Sequence, residues 1–138
     1  ELFASLGKTW VVDKETKMDF ATAVSGTGPA LDCYYIETHN IDYRSISETQ
    51  KNGLIEFLES GAKANGFSQQ EARSLAEDIA NGLIILLNET GLSPAQLREK
   101  VTSRGGTTAS ALRVLYDGGG IEDALRAAVN RARELSRG

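Results

Sequence analysis

The stretch of sequence that decides the fold class is residues 68–87, SQQEARSLAEDIANGLIILL. Ser68 and Glu71 form the pattern of a capping box, which marks the first turn of an α-helix. After them, apolar residues recur every three or four positions, the spacing that places side chains on one face of a helix. These residues are Ala72, Leu75, Ala76, Ile79, Ala80, Leu83, Ile84 and Leu87. The pattern predicts a long helix that buries this face against other helices.

Helix signals recur on both sides of this stretch. Ser47 and Gln50 form a second capping-box pattern, and the helix that they open is expected to end at the Asn-Gly pair of residues 65–66. Ser93 followed by Pro94 opens a shorter helix, because proline fits the first helical turn. The segments predicted to be helical in this part of the chain are 47–65, 68–87, 94–101, 109–116 and 121–136.

The N-terminal third carries weaker signals. Residues 9–13, Thr-Trp-Val-Val-Asp, predict a short extended segment. Helical spacing follows, but the glycines of residues 25–28 are expected to interrupt it, and a new helix is expected from Pro29 with Thr27 as its cap. Residues 38–45 show no period and predict a loop. A count of about six helices with little strand predicts an all-α fold.

The composition excludes several classes of protein. The chain has 138 residues, of which 41% are hydrophobic, and this is enough for one domain with its own core. A single cysteine, Cys33, and a single histidine, His39, cannot supply a disulfide or the usual zinc ligands. A net charge of −4 without a basic cluster argues against nucleic-acid binding. No apolar run reaches the roughly 20 residues that span a bilayer, so we expect a cytoplasmic protein.

No set of residues forms a common catalytic centre. One histidine, one cysteine and no nucleophile elbow leave neither a catalytic triad nor a metal-activated water. We therefore interpret His39 as a solvated loop residue and Cys33 as a buried, unreactive thiol.

The first candidate site is the glycine-containing motif SGTGPA at residues 25–30. Exposed amides at the start of a helix could hold an anion there, or the small residues could allow two helices to pack closely, and we favour packing. The motif is not a dinucleotide-binding fingerprint, because it does not follow a strand.

The second candidate site is the motif TSRGGTTA at residues 102–109. The amides of Gly105, Gly106 and Thr107 could bind the two oxygens of a carboxylate, and Thr108 could bond to a nearby nitrogen. The motif could also be only a capped turn between two helices. The residues alone leave these two interpretations open.

Together the two motifs resemble the C-terminal half of pyrroline-5-carboxylate reductase. Their order and spacing fit, and the flanking segments 17–19, 93–97 and 115–119 are similar to the family's pattern. The resemblance implies an all-α dimerisation and substrate domain at residues 17–138, like the C-terminal domain of 6-phosphogluconate dehydrogenase. It implies that residues 1–16 are the end of a Rossmann domain.

The resemblance also implies a binding site and a reaction. In the family this loop holds the substrate carboxylate, which assigns substrate binding to Ser103, Gly105, Gly106, Thr107 and Thr108. The threonine that matches Thr108 lies near the ring nitrogen and is the catalytic candidate. Full-length relatives use NAD(P)H to reduce 1-pyrroline-5-carboxylate to proline, the product of proline biosynthesis. We expect this chain to form a homodimer, to bind no cofactor itself and to be inactive alone.

The chain departs from the family's pattern at two places. Arg104 stands where the family usually has proline; it could strengthen carboxylate binding or loosen the loop, and we favour a solvated arginine. Nineteen extra residues, 38–56, interrupt the first long helix. Lengthening one continuous helix by this number would turn its far end by about 100°. We therefore favour a segment that loops out and returns as a helix over a change in dimer packing.

The insertion 38–56 leaves a second functional hypothesis. Apolar residues in and beside it could bind another protein or could form a local packing cluster, and we favour local packing. These residues are Tyr35, Ile36, Ile41, Tyr43 and Ile46. In the alternative, the chain is a non-catalytic binding or display scaffold, natural or engineered, whose functional element is the insertion. Duplication of helix sequence and grafting of a foreign segment would each explain its origin.

Overall fold

A computed structural model describes residues 14–102 and 106–137, and these residues form six α-helices without a strand. The helices are α1 (Lys14–Thr38), α2 (Glu48–Ala64), α3 (Gln69–Thr90), α4 (Pro94–Val101), α5 (Thr107–Tyr116) and α6 (Ile121–Arg137). The predicted all-α class is confirmed. The extended segment predicted at residues 9–13 lies outside the described residues. Helix α1 begins at Lys14 and runs through the predicted domain boundary between residues 16 and 17. That boundary stays a prediction.

Helix α1 is continuous, so the predicted interruption at residues 25–28 and the cap at Thr27 are wrong. The glycine signal reflects packing rather than a turn: a Cβ atom on Gly28 would lie 2.8 Å from Ile79 Cδ1 and 3.3 Å from Leu58 Cδ1. Pro29 removes one helical hydrogen bond, to the carbonyl of Ser25. Ser25 is exposed, so water can bond to that carbonyl.

The segment 38–56 is a turn followed by a helix, as predicted. The chain leaves α1 at Asn40, which has a left-handed φ of 53°, and α2 begins behind the predicted capping box. The Ser47 hydroxyl accepts from the Gln50 amide at 3.1 Å, and the Gln50 side chain accepts from the Ser47 amide at 3.0 Å. Gly53 allows the return helix to approach α1, since a Cβ atom there would lie 2.8 Å from the Tyr35 hydroxyl.

Local packing of the apolar residues around this turn is also confirmed. Ile36 is buried, and the other four pack against the core: Tyr35, Ile41, Tyr43 and Ile46. These side chains therefore contribute to the packing of the domain itself.

Helix α1 lies at the centre of the domain and contacts all five other helices. The apolar faces of all six helices form the core. Helix α6 packs against α2 at a second close approach, besides that at Gly28. A Cβ atom on Gly61 would lie 2.8 Å from Leu125 Cδ1. Beside this contact, the Asn65 amide group donates to the Glu122 carbonyl at 3.1 Å.

Asp32 is a charged residue type in the middle of this core. It is 0% exposed, and neither carboxylate oxygen accepts a hydrogen bond within the described part of the chain. Burial raises the pKa of Asp32 well above its ordinary value of 3.8, because the low-polarity interior disfavours the charged form. Proton binding by the folded chain therefore stabilises it at low pH, and this contribution is lost as the pH rises through the folded-state pKa.

We predict that Asp32→Asn removes this pH dependence. Between pH 3.8 and the folded-state pKa, the free energy of unfolding of the wild type should fall by up to about 1.4 kcal/mol per pH unit relative to the variant. Urea unfolding of both proteins at several pH values from 4 to 8 measures this difference. A constant difference across that range would show that Asp32 titrates normally.

Candidate functional site

The first motif does not form an anion site. Residues 25–30 lie inside α1, so their amides belong to the helical hydrogen-bond pattern instead of facing a ligand. The favoured interpretation of the motif, close packing of helices, is confirmed by the contact of Gly28 with α2 and α3.

The second motif joins α4 to α5. Thr102 is the C-cap of α4, and its hydroxyl donates to the Arg98 carbonyl at 2.6 Å. Of the residues assigned to the substrate site, Ser103 and Gly105 lie outside the described residues, as does Arg104. Gly106, the next described residue, is the N-cap of α5.

The first turn of α5 begins with amides that its cap does not satisfy. An α-helix leaves its first four N–H groups without partners in the helix, and a polar side chain at the N-cap usually bonds to one of them. Gly106 has no such side chain, so the N-cap residue of α5 provides no side-chain acceptor to these amides. Its extended backbone, with φ −88° and ψ −174°, leads directly into Thr107. The amides and the positive end of the helix dipole can therefore bind an anion.

The two motifs meet at this helix start. The hydroxyl of Thr27, which is 0% exposed, donates to the Thr107 hydroxyl at 3.4 Å. Thr107 is half-buried, whereas Thr108 is buried with 5% exposure. Sequence reasoning did not predict the contact between Thr27 and Thr107, because 80 residues separate them and neither shows a local sign of it.

A cleft of about 670 Å³ opens beside the motif, between α4 and α5. Thr102 and Ala109, which flank the loop, both line it. Its other walls carry the side chains of Arg98, Arg113 and Tyr116. Thr102 and Ala109 therefore border a concave surface that contains cationic and aromatic groups.

An ion pair holds α4 against α1 at the edge of the cleft. The Arg98 guanidinium donates to both carboxylate oxygens of Glu37, at 2.7 and 2.9 Å, and to the Tyr116 hydroxyl at 2.6 Å. These bonds raise the pKa of Arg98, first through hydrogen bonding to Glu37. The Tyr116 ring also packs on Tyr34, with 5.5 Å between the ring centroids. No local pattern predicts this ion pair either, because 61 residues separate its members.

The two residues set aside as non-catalytic behave as expected. His39 is exposed at the end of α1 and stacks on Tyr35, with ring centroids 3.8 Å apart. Cys33 is buried, and burial together with the neighbouring charges of Asp32 and Glu37 raises its pKa to about 12. The thiol is therefore protonated and a poor nucleophile at neutral pH.

No group of three or more potential metal ligands occurs within residues 14–102 and 106–137. No helix in this part of the chain is both long enough and apolar enough to cross a membrane.

Comparison with known proteins identifies the family. The family model described as pyrroline-5-carboxylate reductase dimerisation matches residues 53–137, which include α3 to α6 and the loop between α4 and α5. The chain belongs to the pyrroline-5-carboxylate reductase family. The match is to its dimerisation domain, so the function predicted from the two motifs is confirmed at that level.

Curated relatives support the same family. The chain is 34% identical over 139 residues to pyrroline-5-carboxylate reductase of Glycine max, covering 99% of this chain and 43% of the relative. It is 32% identical over 138 residues to pyrroline-5-carboxylate reductase 1 of Bacillus subtilis (strain 168), covering 98% of this chain and 40% of the relative. The chain thus spans less than half the length of these relatives. No solved structure matches it.

The described residues do not fit a nicotinamide cofactor. A dinucleotide site of the Rossmann type needs a strand followed by a glycine-rich turn and a helix. Residues 14–102 and 106–137 contain no strand, and the first glycine motif lies within α1. We therefore assign no cofactor contact to this part of the chain.

We predict that Glu37 and Arg98 are energetically coupled. In a double-mutant cycle with Glu37→Ala and Arg98→Ala, their coupling should be about 1–2 kcal/mol, because the pair is bidentate and only 24–29% exposed. Urea unfolding of the four proteins measures it. The matched control is Glu122 with Arg126, an exposed pair at 3.7 Å whose coupling should stay below about 0.5 kcal/mol. Equal couplings for the two pairs would contradict a special role for the pair between α1 and α4.

Proposed function

We propose that this chain is the dimerisation and substrate-binding domain of a protein that reduces 1-pyrroline-5-carboxylate to proline, and that the start of α5 binds the substrate carboxylate. The observation that carries the proposal is the helix start at Gly106, where the N-cap glycine supplies no side chain to the first amides of α5. The family supplies a substrate with a carboxylate, which is the group that such amides bind well.

Each residue of the proposed site has a distinct role. Backbone amides of Gly105, Gly106 and Thr107, with the hydroxyl of Ser103, bind the two carboxylate oxygens. Thr108 has a hydroxyl that can donate to or accept from the ring nitrogen of the ligand. We propose it as the catalytic residue in the sense that it orients this nitrogen.

Reduction itself requires more than this domain. A nicotinamide cofactor supplies the hydride in a reaction of this type, and we propose that another part of the whole protein binds NAD(P)H. The described residues orient the substrate and contribute no reducing group. The cytoplasmic location expected from the sequence is also part of this proposal.

We further propose that the domain forms a homodimer. The support is the match of residues 53–137 to a dimerisation domain. The alternative function, a binding scaffold built around residues 38–56, is not favoured, because the apolar side chains there pack against the core. That 38–56 is an insertion relative to the family stays a proposal; the family match beginning at residue 53, near its end, supports it.

We predict that L-proline binds at the start of α5 with a dissociation constant on the order of 1 mM, since a few charge-assisted hydrogen bonds are available. In ¹⁵N-labelled protein, the amides of Gly105, Gly106, Thr107 and Thr108 should shift as proline is added. Pyrrolidine, which lacks the carboxylate, is the ligand control and should shift none of them. An unchanged spectrum at 50 mM proline would contradict the proposed site.

We also predict that Thr27→Val weakens proline binding about two- to tenfold. The substitution nearly preserves shape but removes the hydroxyl that bonds to Thr107, a bond of about 0.5–1.5 kcal/mol. Thr49→Val is the matched control, because Thr49 is exposed in α2 and should leave the affinity unchanged. Equal affinities for both variants in the same titration would show that Thr27 does not support the site.

A further inference from the structure

Helix α4 ends in a different way from its neighbours. Helices α2, α3 and α5 each end beside a glycine with positive φ, a common way to turn the chain at the end of a helix: Gly66, Gly91 and Gly118. Helix α4 instead passes directly into Thr102, whose backbone is extended, with φ −91° and ψ 113°. The conformation of Thr102 therefore sets the direction in which the chain enters the second motif.

The Thr102 hydroxyl takes the place of a backbone donor. In a regular α-helix, the amide of residue 102 would donate to the carbonyl of residue 98. Here the Thr102 amide donates to the Glu99 carbonyl at 3.4 Å, and the hydroxyl donates to the Arg98 carbonyl at 2.6 Å. The Arg98 carbonyl thus keeps a donor although the chain has already left the helix. A side chain without a hydroxyl could not make this bond.

Arg98 is itself fixed by two other helices. Its guanidinium donates to both carboxylate oxygens of Glu37 on α1 and to the hydroxyl of Tyr116 on α5. The carbonyl of the same residue accepts from Thr102. Arg98 therefore connects α1 and α5 to the residue that directly precedes Ser103, and the Thr102 hydroxyl bonds to a group whose position is well defined.

The path from Thr102 to the proposed carboxylate site is short. Only residues 103–105 separate Thr102 from Gly106, so the Cα atoms of these two residues lie at most about 14 Å apart. Gly106 is the N-cap of α5 and has an extended backbone as well. The direction in which the chain leaves Thr102 therefore restricts the positions that the amides of Gly105 and Gly106 can take.

We propose that Thr102 is a positioning residue for the carboxylate site, because its bond to the Arg98 carbonyl directs the motif towards the start of α5. The inference rests on the proposed function and adds a group outside the residues assigned to the substrate. Without the bond, the chain beyond α4 can take other directions, and the fraction of molecules ready to bind the ligand falls. A hydrogen bond of this kind shifts such an equilibrium about two- to tenfold.

Titration of ¹⁵N-labelled variants with L-proline tests this role. Thr102→Val and Thr102→Ala both remove the hydroxyl, and each should raise the dissociation constant of proline about two- to tenfold. Thr102→Ser restores the donor and should bind proline as the wild type does, a recovery that lost packing alone would not produce. Circular dichroism and urea unfolding confirm that each variant is folded.

Thr90→Val is the matched control. The Thr90 hydroxyl donates to the Leu86 carbonyl at 2.8 Å, with the same spacing of four residues, but at the end of α3. Its removal should lower the free energy of unfolding, as Thr102→Val does, and should leave the affinity for proline unchanged.

Proline affinity equal to that of the wild type in folded Thr102→Val and Thr102→Ala would overturn the role of Thr102. So would a failure of Thr102→Ser to restore the affinity, or an equal loss of affinity in Thr90→Val. Each of these results would leave the proposed carboxylate site standing, since the wild type still binds. A wild type whose amides do not respond to proline would overturn the site and the role of Thr102 with it.

Discussion

The close contact of Gly28 with Ile79 and Leu58 is the constraint on which the rest of the domain depends. It brings α1 against α2 and α3 at a separation that a side chain at residue 28 would prevent. Packing at this point keeps α1 helical through Pro29, where one backbone hydrogen bond is missing. Because α1 stays continuous, Thr27 and Glu37 lie on one rigid element, about 15 Å apart along its axis.

These two residues hold the helices on either side of the candidate loop. Glu37 binds Arg98 near the end of α4, and Thr27 contacts Thr107 at the beginning of α5. The two contacts therefore fix the last turn of α4 and the first turn of α5, between which the candidate motif lies. The first glycine motif therefore supports the second one without binding a ligand itself.

The helices that could be predicted from the sequence are those whose signals are local. The capping boxes predicted at Ser47 and Ser68 both form, and Ser93 caps the helix that the Ser-Pro pair predicts. The predicted interruption of the helix at residues 25–28 is wrong. Glycines occur both in turns and at close contacts between helices, and the local sequence does not distinguish the two. The contacts of Thr27 and Glu37 could not be found by local patterns, because their partners are distant in sequence. The site residues were assigned from the resemblance of the motif at 102–109 to the family, and their role stays a proposal.

Hydrogen exchange at the beginning of α5 tests the central claim most directly. If the amides of Gly106, Thr107 and Thr108 lack protein partners, they should exchange rapidly in the free chain, and proline should slow their exchange while leaving the middle of α3 unchanged. Slow exchange in the absence of ligand, unaltered by proline, would show that these amides are already bonded within the protein and would contradict the account.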